Sequence, residues 1–167
     1  VQDRQLMERP KHLTWEESAC YTLTLATAYR MLFTRAQLTS GQTVLIQGAG
    51  GGVATALIML AHAAGATVWV TSRDEAKRAH ALTLGADAAF EPGAKLPGKA
   101  DCVMESVGEA TWSHPLRSLR PGGRLIVCGA TSGPNPPADL NRVFDPSFAA
   151  ERRDTRATLD YLRPAAM

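Results

Sequence analysis

Apolar residues recur along this chain at two different periods. In LTWEESACYTLTLATAYRMLF they fall at Ala19, Leu23, Ala26, Tyr29 and Leu32-Phe33, the spacing of one helix face. Thr14 followed by Glu17 is a capping box, which predicts that this helix starts near Trp15. Thr22, Thr24 and Thr27 weaken it, because branching at Cβ restricts side chains in a helix. TVLIQG (43–48) is different: short, unbroken and β-branched at its start, the pattern of a buried strand. AGGG (49–52) breaks that strand, and VATALIMLAHAAG (53–65) follows as a helix apolar on most of its circumference, closed by Gly65. TVWVT (67–71) is a second buried strand. Ser72 with Glu75 predicts another capping box, opening a helix over EAKRAHALTLG that Gly85 closes. ADAAFE is a weak third strand and CVMESV (102–107) a fourth. EATWSHPLRSL reads as a helix whose Pro115 is tolerated only in its first turns. Pro121-Gly122-Gly123 reads as a turn, and RLIVCG (124–129) as a fifth strand.

Strands alternating with helices through short loops predict a parallel sheet covered on both faces. Right-handed crossovers make this an α/β, Rossmann-like doubly wound domain of about five strands in the order 3-2-1-4-5. The expected organisation is an N-terminal arm (1–13), a linker helix (14–38), the sheet domain (39–144) and an atypical tail (145–167). ATSGPNPPADLN carries three prolines and no period, so it is a loop. Residues 149–162 are expected to form at most one exposed helix, and no internal repeat is present.

Composition narrows the function. The chain has 167 residues, room for one domain with its own core and not for two comfortable ones. Lys and Arg number 18 against 16 Asp and Glu, a net charge of +2. That balance gives no electrostatic case for nucleic acid or an anionic membrane. No apolar run approaches the ~18 residues of a membrane span. Three cysteines with no CxxC pair argue against a disulfide framework and for a reducing, cytoplasmic setting.

The strongest chemical signal is TVLIQGAGGGVA, a strand running through glycines into a helix. Glycines let the chain turn sharply and let a diphosphate approach bare backbone. The helix N-terminus then offers free N–H groups and a positive dipole end. The register is imperfect, with A-G-G-G-V-A or G-A-G-G-G-V in place of G-x-G-x-x-G. The plain alternative is a glycine-rich turn that binds nothing. At the end of the second strand stand Thr71-Ser72-Arg73-Asp74, with Lys77 and Arg78 one turn later. An acid there would hold a ribose 2′-hydroxyl, whereas an arginine suits a 2′-phosphate. Ser72, Arg73 and Lys77 therefore favour NADP. Asp74 is the rival that would favour NAD, and a solvated basic helix start is the bland reading.

These segments resemble the medium-chain dehydrogenase/reductase superfamily, in the quinone-reductase and enoyl-reductase branch of the zinc-type alcohol dehydrogenase fold. LTWEESACYTLTLATAYRML is similar to the helix leading into the cofactor domain, above all in crotonyl-CoA carboxylase/reductases. GGGVATALIMLAHAAGATVWVTSRDEAKRAHALTLGAD resembles the dinucleotide fingerprint, second strand and following helix. DCVMESVG and SLRPGGRLIVCGATSG resemble the fourth and fifth strands. The resemblance covers roughly residues 6–144. It implies that Gly50, Gly51, Gly52 and Val53 bind the pyrophosphate, and that Ser72, Arg73 and Lys77 bind the 2′-phosphate. Ser106, Gly108, Gly129 and Ala130 would line the nicotinamide half. Thr27 would face the nicotinamide or, more simply, the core.

The departures matter as much. Ala54 stands where the fingerprint usually ends in glycine, PGAKLPGKAD is short, and nothing past Phe144 matches a sixth strand. The family's catalytic domain is absent from these 167 residues. A truncated or frameshifted product, or a split protein, would account for this. His12, His62, His80 and His114 show no zinc-ligand spacing, and GATSG (129–133) fails as a nucleophile elbow because Thr131 replaces serine and no helix follows. Tyr21 and Tyr29 have hydroxyls able to donate a proton, but both sit on the linker helix, where packing is the simpler role. No zinc and no complete catalytic apparatus are expected. The leading expectation is an NADPH-binding domain for hydride transfer to a quinone or an α,β-unsaturated carbonyl compound, or for alcohol and carbonyl interconversion. The alternatives are a non-catalytic nucleotide-binding remnant or partner-dependent subunit, and an S-adenosylmethionine-dependent methyltransferase, which would want an acid where Arg73 stands. With no sixth strand, the fifth becomes an open edge for self-association or for a missing catalytic-domain chain, unless the C-terminal helix covers it.

Overall fold

The computed structural model describes residues 8–137. Five strands make one parallel sheet: β1 (Thr43–Gln47), β2 (Thr67–Thr71), β3 (Ala88–Phe90), β4 (Ala100–Glu105) and β5 (Leu119–Val127). Their order is β3-β2-β1-β4-β5, as the alternating pattern predicts. The helices are α1 (Trp15–Tyr29), α2 (Gly52–Ala63), α3 (Glu75–Thr83) and α4 (Ser113–Ser118).

The period-two rule sorts the strand residues into two unlike faces. Val44, Ile46, Val68, Val70, Cys102 and Met104 point to one side and meet Leu57, Ile58 and Ala61 of α2 and Met31 and Leu32. This is the large apolar core. Leu45, Val103 and Leu119 point to the other side with Ala100, in a much smaller cluster flanked by Trp69, Leu96 and Leu125. On that second side the carboxyl end of the sheet is polar: Gln47, Thr71 and Glu105 are all buried there.

The capping box at α1 forms as expected. Thr14 Oγ1 accepts from the Glu17 N–H at 3.1 Å, and a Glu17 carboxylate oxygen accepts from the Thr14 N–H at 2.8 Å. The threonines are accommodated because the hydroxyls of Thr22 and Thr24 donate back to the Ser18 and Cys20 carbonyls. The linker expected as one helix over 14–38 is two elements. After Tyr29 the chain opens into a π-helical segment, Arg30–Arg35, which buries Met31 and Leu32.

Four further expectations are corrected. Asp74, not Ser72, caps α3, its carboxylate accepting the Lys77 N–H at 3.2 Å. Ser72 is still tied to the sheet, since its N–H donates to the Phe90 carbonyl at 3.0 Å, so the helix cannot start there. β4 lies two residues earlier than 102–107, leaving Ser106 and Val107 in the following turn. The helix expected over EATWSHPLRSL shortens to α4, with Pro115 in its first turn. Pro121-Gly122-Gly123 does not separate two elements but sits inside β5. Ala100 pairs with Leu119 and Cys102 with Arg124, so residues 120–123 loop out opposite Asp101 alone.

Asp101 anchors that bulge. Its carboxylate accepts from Arg120 Nε at 2.7 Å and from the Thr43 N–H at 2.8 Å. Partial burial pushes its pKa up, but the Thr43 N–H and the Arg120 guanidinium outweigh this and hold it below the ordinary value of 3.8. A lowered folded-state pKa contributes stability above the unfolded pKa and loses it as pH falls through the folded one. Thermal stability should therefore drop below about pH 4 partly through this group. Asp101→Asn should flatten that limb in melts recorded across the acid range. An unchanged acid limb would contradict the assignment.

The expected tail helix (149–162) and most of the N-terminal arm lie outside the described residues. Among those described, β5 ends the sheet on one side, and no helix is long and apolar enough to cross a membrane.

Candidate functional site

β1 ends at Gln47, and the chain turns through Gly48-Ala49-Gly50-Gly51 into α2. Gly48 and Gly50 sit at φ +81° and +105°, where a side chain is strained, which is why this turn demands glycine. The Thr71 carbonyl fixes the turn by accepting from the N–H groups of Gly48 (3.1 Å) and Ala49 (2.8 Å). α1 and α3 close their N-termini with Thr14 and Asp74, but no side chain caps α2 at Gly51. The first bond into that end is from the Thr55 N–H to the Gly51 carbonyl, so the N–H groups of Gly52, Val53 and Ala54 lack partners within the helix. A β-carbon at Gly51 would meet nothing within 4 Å. The turn is thus an open cradle of donors beside a positive dipole end, and it suits a diphosphate. Thr24 of α1 closes one wall, lying so near Gly52 that a β-carbon there would come within 2.9 Å of its methyl group.

The cations at the end of β2 divide. Arg73 is exposed and makes no hydrogen bond or ion pair with the described residues. The Lys77 stem passes over the turn, its Cδ 2.6 Å from where a Gly50 β-carbon would be. Arg78 is committed elsewhere: Nη1 donates to the Ser72 carbonyl at 2.7 Å, and Nη2 faces Glu91 at 3.7 Å. It does not join the others. Ser72 is nearly buried, and its hydroxyl accepts the Asp74 N–H at 3.2 Å. Asp74 serves as the cap of α3, which accounts for an acid at this place.

The other four predicted residues form a second group at the ends of β4 and β5. Gly108, at φ +94°, lies under the next loop, where a β-carbon would come within 2.7 Å of the Gly133 carbonyl and 2.9 Å of Ala130 Cα. A β-carbon on Gly129 would meet the Ser106 carbonyl at 2.9 Å. The loops are clasped together: the Ser132 N–H and hydroxyl both donate to the Val107 carbonyl at 2.7 Å, and the Ser132 hydroxyl accepts the Ala110 N–H at 2.9 Å. The Ser106 hydroxyl reaches the Gln47 carbonyl at 3.5 Å, and Val107 packs against Gly48, so both groups share one rim.

Sequence reasoning missed the buried polar residues beneath this rim. The Glu105 carboxylate is fully buried and accepts from the N–H groups of Val107 (2.5 Å) and Gly108 (3.0 Å) and from the Thr111 hydroxyl (2.8 Å). It shapes the turn that Gly108 needs. Thr71 Oγ1 donates to Gln47 Oε1 at 2.5 Å, Gln47 Nε2 donates to His114 Nδ1 at 2.8 Å, and His114 Nε2 donates to the Ala94 carbonyl at 3.0 Å. A signal was available: strand parity puts Gln47, Thr71 and Glu105 on one face, and a polar residue ending each of three apolar strands is an anomaly.

Reactive chemistry is sparse. Burial pushes the Cys102 thiol up to about 12 and raises that of Cys128, so both are poor nucleophiles. Cys20 is exposed on α1. Among the described residues, no group of three or more His, Cys, Asp or Glu side chains offers a metal a ligand set. Thr27 is half-buried within α1. On α1, Trp15 is 75% and Leu23 78% exposed, and the Arg9 guanidinium lies over the Trp15 ring, 4.6 Å from its centroid.

Comparison with known proteins gives a consistent answer. The family described as zinc-binding dehydrogenase matches residues 52–155. The crotonyl-CoA carboxylase/reductase of Cereibacter sphaeroides is 39% identical over 86% of this chain, which spans 42% of that protein. A 2-octenoyl-CoA carboxylase reductase, solved with NADP and 2-octenoyl-CoA, superposes with a TM-score of 0.80 at 29% identity, over 87% of this chain and 39% of that one. A quinone oxidoreductase of Pseudomonas syringae gives 0.75 at 26% identity, over 85% and 47%. The chain thus spans less than half the length of these relatives.

Proposed function

The chain belongs to the zinc-binding dehydrogenase family of medium-chain dehydrogenases/reductases, and on that premise we propose that it is the NADPH-binding half of a reductase acting on an α,β-unsaturated thioester or related carbonyl compound. The observation that carries the reading is the uncapped, glycine-lined N-terminus of α2, with the Lys77 stem over its turn and Arg73 exposed at the end of β2. The N–H groups of Gly52 and Val53 would hold the diphosphate, with Gly50 turning the chain beneath Lys77 and Gly51 giving the ligand room. Ser72, Arg73 and Lys77 would take the 2′-phosphate. Ser106, Gly108, Gly129 and Ala130 would form the floor under the nicotinamide, which when bound supplies hydride. The clasp between their loops keeps that floor rigid. The thioester preference rests on the likeness to the two carboxylase/reductases; a quinone is the second reading, favoured by the likeness to the quinone oxidoreductase. Substrate-contacting residues are assigned to the part of those relatives that this chain does not span.

The cofactor reading is tested by titrating the intrinsic tryptophan fluorescence with NADPH, NADH and S-adenosylmethionine. NADPH should bind and the methyl donor should not. Arg73→Ala should cut the preference for NADPH over NADH by about tenfold to a hundredfold, the worth of one charge-assisted phosphate contact. Arg78→Ala should leave the preference unchanged and lower stability instead, since that guanidinium ties Ser72 to Glu91. An Arg73 variant that still discriminates fully would remove the 2′-phosphate assignment.

Self-association through β5 belongs to the same proposal. Sedimentation over a range of concentrations should show the chain associating, because β5 pairs on one side only among the described residues. A monomer throughout would remove this part.

A further inference from the structure

We propose that His114 is a positioning residue for the diphosphate turn, acting through Gln47 and Thr71 and resting on the cofactor reading above. The chain of donors runs in one direction. The Gly48 N–H points at Thr71 Oγ1 (3.4 Å) as well as at the Thr71 carbonyl. The Thr71 hydroxyl passes its own proton toward Gln47 Oε1 (2.5 Å), so that amide must turn its Nε2 to the other side. There it meets His114 Nδ1 (2.8 Å), which must be the bare nitrogen of the ring. The ring proton is then on Nε2 and donates to the Ala94 carbonyl (3.0 Å). Each group can satisfy its neighbour only while the next one holds its present sense, and chains of this kind polarise and strengthen their members.

Gln47 is 0%, Thr71 1% and His114 6% exposed, so water has little access to replace a lost partner. The side chains of Gln47 and His114 make their hydrogen bonds to Thr71, to each other and to Ala94, none of them to the N–H groups of the turn. Their effect arrives at the first N–H groups of the turn. Without the acceptor at His114 Nδ1, the Gln47 amide keeps a buried donor unpaired and is free to rotate. Thr71 then loses its fixed side-chain orientation, and Gly48 keeps only the Thr71 carbonyl as its anchor. His114 also ties the segment before β4 to the sheet through Ala94. That second bond is packing, and it can be separated from the first.

The two halves of the ring can be replaced singly. In His114→Asn the side-chain oxygen stands near Nδ1 and still accepts from Gln47, but the bond to Ala94 is lost. In His114→Gln the amide reaches toward Ala94, and Gln47 is left without an acceptor. Both should melt earlier than the wild type. NADPH affinity should split them: His114→Gln about tenfold weaker, His114→Asn within about twofold of the wild type. Amide exchange at Gly48 should quicken in His114→Gln only. Equal affinities in the two variants, whether both intact or both weakened, overturn the positioning role. The exchange measurement needs no cofactor, so it judges the hold on the turn separately. A wild-type chain that ignores NADPH overturns the cofactor reading, and with it the binding half of this proposal.

Discussion

Replacing Gly51 by aspartate should abolish NADPH binding while leaving the fold as stable as before, or slightly more so. The two effects have opposite signs because one geometry serves both. Gly51 is the N-cap of α2, with φ −91° and ψ 160°, an ordinary conformation for any residue, and its surroundings are open. Aspartate is among the best N-caps and would accept the idle N–H groups of the first turn, a gain of a few tenths of a kcal/mol over glycine. The same carboxylate would occupy the donors that a diphosphate needs and place like charge against it. Two like charges about 4 Å apart repel by about 4 kcal/mol at an effective dielectric near 20. Solvent at this exposed turn discounts that, so a loss of more than about a hundredfold in affinity is the conservative figure. Calorimetric titration with a parallel thermal melt gives both numbers. Unchanged NADPH affinity in a folded Gly51→Asp chain would mean the cofactor does not sit at α2.

Gly108→Ala should damage the fold itself. The added methyl would strike the backbone of the neighbouring loop, 2.7 Å from the Gly133 carbonyl and 2.9 Å from Ala130 Cα. Backbone cannot step aside as a lysine stem can. The residue also sits at φ +94°, where L-residues are strained by about 1–2 kcal/mol. Overpacking adds about 1–3 kcal/mol. The sum, about 2–5 kcal/mol, corresponds to a fall in Tm on the order of 10 °C. The clasp at Ser132 would open, and Glu105 would lose one of its donors. A variant melting within about 2 °C of the wild type would show that the two loops are looser than their hydrogen bonds indicate.

What could be read from the residues follows how local each cause is. β2 and the capping box of α1 were legible because strand composition and a Thr-x-x-Glu spacing are contained in a few neighbours. The glycine turn was legible for the same reason. Ser72 and Asp74 are both good caps, and the choice between them depends on Phe90, whose carbonyl keeps Ser72 in the sheet. No local pattern carries that contact. The bulge in β5 was half legible: Pro121-Gly122-Gly123 breaks a strand, but only pairing with Ala100 and Cys102 shows the strand resuming on the same partner. The network under the rim was least legible. Gln47, Thr71 and His114 are brought together by strand order, and His114 lies 67 residues from Gln47. The cations at the end of β2 stand together in the sequence, yet only geometry shows Arg78 spent on Ser72 and Glu91.

The bulge bears finally on how far this sheet can grow. Among the described residues the sheet has two rims, and they are unequal. One is β3, a strand of three residues. The other is β5, straight against its partner only from Arg124 to Val127, because residues 120–123 leave the ladder. Four residues span about 13 Å, enough for a short stretch of pairing and too little for a long one. Two copies joined rim to rim along that stretch would use up the longer rims of both. What remained outward on the described residues would be β3 at each end. The expected product is a closed pair rather than a fibre, with a ten-stranded sheet whose own ends give a third copy little to hold.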